Sequence, residues 1–456
     1  MAVWSSVEVA SLSKDFRLDA EHYQPEYLAQ EHATTKRRSV ELQAVASVSD
    51  GNHLSIAEEF SESGVRYLRG LDLSDFFVSD ADPIYIPDRT YNALRRSHML
   101  PGDVLVGIVG TIGSVGLVTK RHGKLTGNCK LAIIRARDLP PEYIAAYLGS
   151  RVGQNEIQRR IRGAVQMGLI LPDLKTLPIV IPGDGERESV VNLVDGAESN
   201  REHSHQLMKD AEELLTKSIG LSGLDFSESL FYQRSFADLT TARRFGAEYF
   251  MPCKQRILAA LAEKSRGPLS LSYISARDIF DPGSAKRGEV VRNFDLTHAI
   301  DGVLDDRGVQ PIPAIEVGST KKRLQTGDVV ISRLRSYLRE IALVRVEDSV
   351  PAVGSTEFIV LRPRAGEKGI MSRETLLVFL RSLPVQTILK WSQDGSQHPR
   401  FNEDQLLAAS VPVSVERVSP DIDKLVNKAF QAQVESARLL EMAKAEIEKM
   451  VLRGAA

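Results

Sequence analysis

The chain has 456 residues, of which 43% are hydrophobic and 26% charged, and its net charge is −2. That length exceeds what one hydrophobic core serves, so two or more domains are expected. No run of about 18 apolar residues suits a membrane span, the start lacks a basic, apolar-centred leader, and Cys129 and Cys253 stand apart from any Cys or His at metal-ligand spacing, which together point to a reducing cytoplasm without a disulfide framework or structural zinc.

Taken in order, the chain repeats itself. RLDAEHYQPEYL (Arg17 to Leu28) returns about 227 residues later as RFGAEYFMPCKQ, with Arg244, Ala247, Glu248 and Pro252 matching Arg17, Ala20, Glu21 and Pro25. Gly102-Asp103 before a β-type run is answered by Gly327-Asp328, and GNCKLAIIRAR from Gly127 by GSTEFIVLRPR from Gly354. Beyond that the offset settles near 232, where Gly163 answers Gly395 and Leu174 answers Leu406. Many dispersed matches in one order indicate a tandem duplication whose halves meet near residues 221 to 240.

Within each half a short helix leads into turn-rich strands: VRYLRGLDL, PIYIP, DVLVGIVG, VGLVTK and KLAIIRA in the first, EVVRNFDL, DVVISRL, IALVRV and EFIVLRP in the second. A helix follows, PPEYIAAYLGSRVGQNEIQRRI or SRETLLVFLRSLPVQTILKW, then a loop, a short helix and a last strand. Each half then runs into a long helix. The first carries Val190, Val194, Ala197, Arg201, Ser204, Met208, Ala211 and Leu215 at alternating spacings of four and three, and the second carries Ile422, Val426, Ala429, Gln433, Ser436, Leu440, Ala443 and Ile447. That spacing makes an interhelical seam, and each helix is the natural partner of the other. Both seams have a polar middle, which can fix the register of an antiparallel pair and would bring Arg201 and Ser204 near Gln433 and Ser436.

The expected fold is α+β, or mixed α/β: a tandem pseudo-twofold repeat of two α/β heads separated by a pair of long antiparallel coiled-coil-like helices. The expected boundaries are a first head over 1–185, a central helix over 186–221, a linker over 222–239, a second head over 240–416 and a C-terminal helix over 417–453.

Stretches that resemble catalytic motifs do not hold up across the repeat. Gly107-Ile-Val-Gly110-Thr-Ile-Gly113 is followed by another strand, whereas a phosphate loop opens a helix; a β turn is expected. Asp138-Leu-Pro-Pro-Glu-Tyr143 lacks the contiguous Asp/Asn-Pro-Pro-aromatic motif of amino-methyltransferases, and Pro140-Pro141 reads as a helix start. Asp173-Leu-Lys175 approximates the carboxylate-x-Lys pair of metal-dependent nucleases, but its counterpart is Gln405-Leu406-Leu407. Asp173 is read as a helix N-terminal residue, and the chain is expected to have no catalytic or metal site of its own.

Basic residues remain. The first half offers Arg66, Arg69, Arg95, Arg96, Lys120, Arg121, Lys124, Lys130, Arg159, Arg160 and Arg162; the second offers Lys286, Arg287, Arg292, Lys321, Lys322, Arg323, Arg333, Arg335, Arg339 and Arg400. Clustered Lys and Arg supply phosphate contacts, and a loop Arg can read guanine bidentately in the major groove. Ser332-Arg333-Leu-Arg335-Ser336 is the best single loop for reading bases. The net charge does not advertise a nucleic-acid ligand, but a global sum hides local patches.

The duplicated order of RLDAEHYQPEY, Gly-Asp before a strand, GAVQMGLILPDLKTLPIVIP or GSQHPRFNEDQLLAASVPVS at the end of a head, and then a long helix resembles the specificity subunit of type I restriction-modification systems. The resemblance spans nearly the whole chain. It implies two target-recognition domains, each reading half of a bipartite site in double-stranded DNA. It implies conserved-region helices that bind two modification methyltransferase subunits, and a prokaryotic cytoplasmic setting. S-adenosylmethionine would belong to those partners, which methylate adenine, and a separate restriction subunit would translocate and cut; this chain would bind no cofactor. Where many relatives have Pro-x-x-Glu-Gln before the helix, this chain has Pro182-Gly-Asp-Gly-Glu186-Arg187 and Val415-Glu416-Arg417. Two readings from other classes stay open: a nuclease with dispersed catalytic residues, and a two-headed protein-binding scaffold.

Overall fold

Gly102-Asp103 and Gly327-Asp328 each start a central strand, and one device explains both. In the computed structural model the two glycines take φ of +88° and +92°, a left-handed turn that a side chain would strain. The aspartate that follows is buried. Asp103 accepts from the backbone N of Leu100 at 2.8 Å and from Nε and Nη2 of Arg135 at 2.8 and 2.7 Å. Asp328 accepts from Gln325 N at 2.9 Å and from the same two atoms of Arg362 at 2.8 Å each. A buried carboxylate needs such partners.

The structure describes residues 4–9, 12, 17–61, 63–73, 76–79, 83–163, 167–221, 223–346, 349–364, 371–395 and 397–452. Residues 164–166 and 396 of the two end-of-head motifs, residue 222 of the expected linker and Arg453 of the expected C-terminal helix lie outside them. Two units form: residues 1–202 with 433–456, and residues 203–432.

Unit one contains β1 (Ser39–Glu41), β2 (Ala46–Asp50), β3 (Val65–Leu68), β4 (Phe76–Phe77), β5 (Ile84–Ile86), β6 (His98–Met99), β7 (Asp103–Gly107), β8 (Val115–Leu117), β9 (Leu125–Gly127), β10 (Leu131–Ala136) and β11 (Pro178–Val180). They form sheets of order β2-β10-β7-β8-β4 and β5-β3-β9-β6, with β1 paired to β11. Unit two contains β12 (Ser265–Pro268), β13 (Tyr273–Ser275), β14 (Ile279–Phe280), β15 (Val290–Phe294), β16 (Ala299–Ile300), β17 (Gly302–Leu304), β18 (Ile312–Pro313), β19 (Lys321–Leu324), β20 (Val329–Ser332), β21 (Ile341–Leu343), β22 (Ala352–Gly354), β23 (Phe358–Pro363) and β24 (Ser410–Pro412). Their orders are β13-β23-β20-β21-β17-β16 and β14-β19-β22-β15-β18, with β12 paired to β24. Strand for strand this is the order of unit one, extended by β16 and β14 at the edges. Orientation agrees too: β3–β9 and β15–β22 are parallel, as are β4–β8 and β17–β21.

The expected single helix after each sheet is broken in both units. Pro141–Gly149 and Arg151–Gln158 are separated by Ser150, and Arg373–Arg381 and Leu383–Lys390 by Ser382. Both serines leave the helical region, at ψ of 163° and 146°. Ser150 then caps the second helix by accepting from Gly153 N at 3.3 Å, while Pro384 suits the first turn of its helix. Gln154 and Gln386 each donate back across the break, to Leu148 O and Leu380 O.

The long helices are Asp184–Ile219 and Val413–Leu452. The second begins earlier than expected and runs through Pro420, which forfeits a hydrogen bond but lies close to the N-terminal end. In unit one Val190, Val194 and Ala197 share a buried cluster with Leu440, Ala443 and Ile447. In unit two Met208, Ala211 and Leu215 share one with Ile422, Val426 and Ala429. The early part of each helix thus meets the late part of the other, which is an antiparallel pairing. Because each half-helix packs on the sheet nearest to it, the division between units falls inside both helices. At the polar middle, Ser436 Oγ donates to Ala197 O at 2.7 Å, one helical turn before Arg201. Arg201 is buried with its guanidinium over the Phe77 ring, 5.4 Å from its centroid.

Candidate nucleic-acid interface

Each unit ends in a pair of loops fastened by the same backbone contacts. In unit two these are the β20–β21 loop and the loop after helix Leu383–Lys390. Bridges join Leu334 to Arg400 and Asp394 to Arg400. Phe401 N donates to Arg333 O at 3.1 Å, and Arg333 N to Glu357 O at 3.0 Å. In unit one, bridges join Val109 to Gly168 and Arg162 to Gly168; Leu169 N donates to Ile108 O and Ile108 N to Lys130 O, both at 2.9 Å. The frame is therefore duplicated, while the side chains at its tip are not. Ile108, Lys130 and Gly168 occupy the positions of Arg333, Glu357 and Arg400.

At the tip of unit two the carboxylate of Glu357 lies between two guanidinium groups. Arg400 contacts it through Nε at 3.1 and 3.0 Å and through Nη2 at 2.9 Å, and Arg333 through Nε at 2.9 Å. Arg400, acting against the opposing effect of burial and aided by Arg333, holds this carboxyl below the usual range. The intervening loop is strained: Arg335 and Arg339 have φ of +50° and +51°, a conformation that costs about 1–2 kcal/mol each for residues with a Cβ. It is held by Arg335 N donating to Pro399 O at 2.9 Å and Gln393 Nε2 donating to Ser336 Oγ at 2.9 Å, and it leaves Tyr337 and Arg339 exposed. In unit one Gly110 and Gly113 supply the positive φ values, which fits a turn and not a phosphate loop. The repeated arginines near the start of each half reach these loops, Arg17 donating to Ile161 O at 3.2 Å and Arg244 pairing with Asp394.

Comparison with solved structures finds similarity along nearly the whole chain. The S subunit of a type I restriction-modification system from M. genitalium is 14% identical, over 90% of this chain and 95% of that one, at a TM-score of 0.38. The HsdS subunit from Thermoanaerobacter tengcongensis is 16% identical over 92% and 97%, at 0.30. A structure described as the basis of complex assembly and conformational transition of the type I R-M system gives 16% over 91% and 97%, at 0.30. No family model and no curated protein matches the chain.

The other basic residues divide by how the fold has used them. Arg159 is a correction: it is buried against Glu31, Glu156 and the His22 ring, so it cannot face a ligand. Arg160 is turned onto the buried Glu156, Arg162 pairs with Asp173, and Arg66 and Arg69 both bind the buried Asp72. Arg292 pairs with Asp306 and Lys321 with Asp295. Burial disfavours the charged form of Lys322. Arg95, Arg96, Lys120, Arg121, Lys124, Lys130, Lys286, Arg287 and Arg323 are exposed. Lys124 pairs with Asp88 and Arg323 lies over Phe280. Asp173 sits in the first turn of helix Leu171–Lys175 as expected, and Pro141 starts its helix. Sequence reasoning missed Glu357. The only signal for it was its offset from Lys130, a reversal of charge at one repeat position.

Proposed function

We propose that this chain is a sequence-specific DNA-binding subunit of a type I restriction-modification complex. It reads the two halves of a bipartite site through target-recognition domains over 1–185 and 240–416, and its long helices assemble two adenine-methyltransferase subunits with restriction subunits. The observation that carries the reading is the duplicated tip: one backbone frame, built twice, with different charged side chains at the same three positions. Two readers of two different half-sites require that combination, because the frame sets the approach to DNA while side chains at its end select bases. The ordered family motifs, present in both halves, support the same reading. Exposed Lys130, Arg95, Arg96, Lys120 and Arg121 in one unit, and exposed Arg323, Arg333, Arg339, Lys286 and Arg287 with half-buried Arg335 in the other, are assigned to DNA.

The test is selection of bound duplexes from a random pool by the full-length chain, followed by purification with its methyltransferase partner and mapping of methylated adenines. The expected outcome is two defined blocks around an unread spacer, with binding that falls steeply with salt. A single uninterrupted motif, or metal-dependent cleavage by the chain alone, overturns the proposal. Binding without salt dependence or sequence preference would instead indicate a protein scaffold.

A further inference from the structure

The reading of unit two as a DNA reader leaves Glu357 unexplained, since a carboxylate at a phosphate-facing tip is repelled by the ligand. Its surroundings give it a role. All the Glu357-facing donors of Arg400 are spent: Nε and Nη2 on the carboxylate, while Nη1 donates to His398 O at 3.1 Å. Arg333 is different. Only its Nε bonds Glu357, and among the described residues its two Nη groups make no hydrogen bond, so the end of its guanidinium is presented as a two-donor fork. Arg333 is 44% exposed while Glu357 is 22% exposed, which places the fork outward of the carboxylate. The triad carries a net charge of +1, the same as Lys130 alone at the matching tip of unit one.

We propose that Glu357 is a positioning residue, and with Arg400 a specificity determinant, that fixes the Arg333 fork for bidentate reading of a guanine edge in duplex DNA; this rests on the DNA-reading function proposed above. A free arginine side chain has many rotamers, and ordering it on contact costs affinity. Glu357 removes that cost before DNA arrives. Arg400 offsets the carboxylate, so that Arg333 keeps an effective positive charge for a guanine O6/N7 pair. Unit one, with Ile108 and Gly168 in place of the arginines, has no such fork and presents the mobile point charge of Lys130, suited to phosphate.

The experiment uses the full-length chain and a duplex obtained from the selection above, with every base pair changed singly and each guanine replaced in turn by 7-deazaguanine. Wild type is expected to lose about tenfold to a hundredfold at one guanine of one half-site, the range of a bidentate contact. Arg333→Ala, Arg400→Ala, Glu357→Ala and Glu357→Gln are expected to reduce discrimination at that same base pair to about twofold, leaving the other half-site as selective as before. The glutamate variants also bind random duplex with a steeper salt dependence, by about one phosphate, because the triad passes from +1 to +2. A loss of structure would not sharpen the salt dependence, and Glu357→Gln keeps the shape if Glu357→Ala fails to fold. If Arg333→Ala abolishes the preference but Glu357→Gln retains it, Arg333 reads unaided and the positioning role is wrong while the DNA reading stands. If Arg333→Ala changes no position, the fork is not a reader and the proposal falls. A wild-type chain without any sequence preference overturns both.

Discussion

The duplicated aspartate–arginine pair allows a stability prediction with a built-in comparison. Asp328→Ala removes the acceptor for two bonds from Arg362 and one from Gln325 N. Breaking a buried pair costs about 3–5 kcal/mol. Arg362 retains Asp278 at 2.7 Å, which puts the loss near the lower end, about 3 kcal/mol. Asp103→Ala removes the same bonds in unit one, but Arg135 is 48% exposed where Arg362 is 20% exposed. Water can therefore take over the Arg135 guanidinium, and the loss should be about 2 kcal/mol. A chain of two units need not unfold in one step, so the assay is amide hydrogen exchange read separately on peptides from β20 and β23 and from β7 and β10. Asp328→Ala should speed exchange in β20 and β23 by about two orders of magnitude, as about 3 kcal/mol implies, and leave β7 and β10 nearly unchanged. A change below about 1 kcal/mol in β20 and β23, or an equal change in both units, would refute the assigned role of the pair.

Other expectations follow from single positions. Gly327→Ala and Gly102→Ala should cost about the same, because both have positive φ and the Cβ at 327 meets only the Arg373 guanidinium, the end of a flexible side chain that can swing aside, while at 102 the nearest atom is Pro141 Cγ at 3.6 Å. Amide exchange read on the unit that carries each change should place both near ~1 kcal/mol, and a loss at 327 of twice that at 102 would show that Arg373 is held in place. Leu215→Ala, at a fully buried seam position, should cost about 2–5 kcal/mol, visible as loss of exchange protection in unit two. Lys254 is buried with its ammonium 3.6 Å from the Tyr249 ring centroid and bonded to Tyr249 O and Trp391 O; burial, aided by the Arg244 charge, pushes it down to about 8. Between pH 8 and about 10.4 the unfolded chain holds a proton that the folded chain releases, so stability rises with pH across that window and the deficit is constant below it. Lys254→Met should remove that rise, worth about 3 kcal/mol by linkage, in melting temperatures measured from pH 7.5 to 10.5. An unchanged slope would show that Lys254 does not titrate there.

The repeat itself was legible because duplication leaves its register in the residues: Gly-Asp, the Arg-x-x-Ala-Glu segment and the two seams recur at nearly constant offsets, and periodicity alone places Val190 or Ile447 on a buried stripe. Short polar or glycine-bearing strands such as β2, β9 and β22 gave no such signal, since three to five residues are held by their neighbours in the sheet and not by their own pattern. The helix breaks at Ser150 and Ser382 were equally silent, because a serine is compatible with either a helix or a cap until packing chooses.

What the sequence could determine is what depends on local spacing: the duplicated order of elements, the seams, the helix start at Pro141, the first-turn place of Asp173 in its short helix, and the supply of basic residues. It could not say which basic residues are free, because charge is compensated by groups distant in the chain. Arg159 is consumed by Glu31 across 128 positions, Arg66 and Arg69 by Asp72, and Arg400 by Glu357, which takes only the Nε of Arg333. Only the tertiary structure brings the β20–β21 loop, the β23 start and the loop before Phe401 to one tip, and so sets Arg333 and Arg400 on either side of the Glu357 carboxylate.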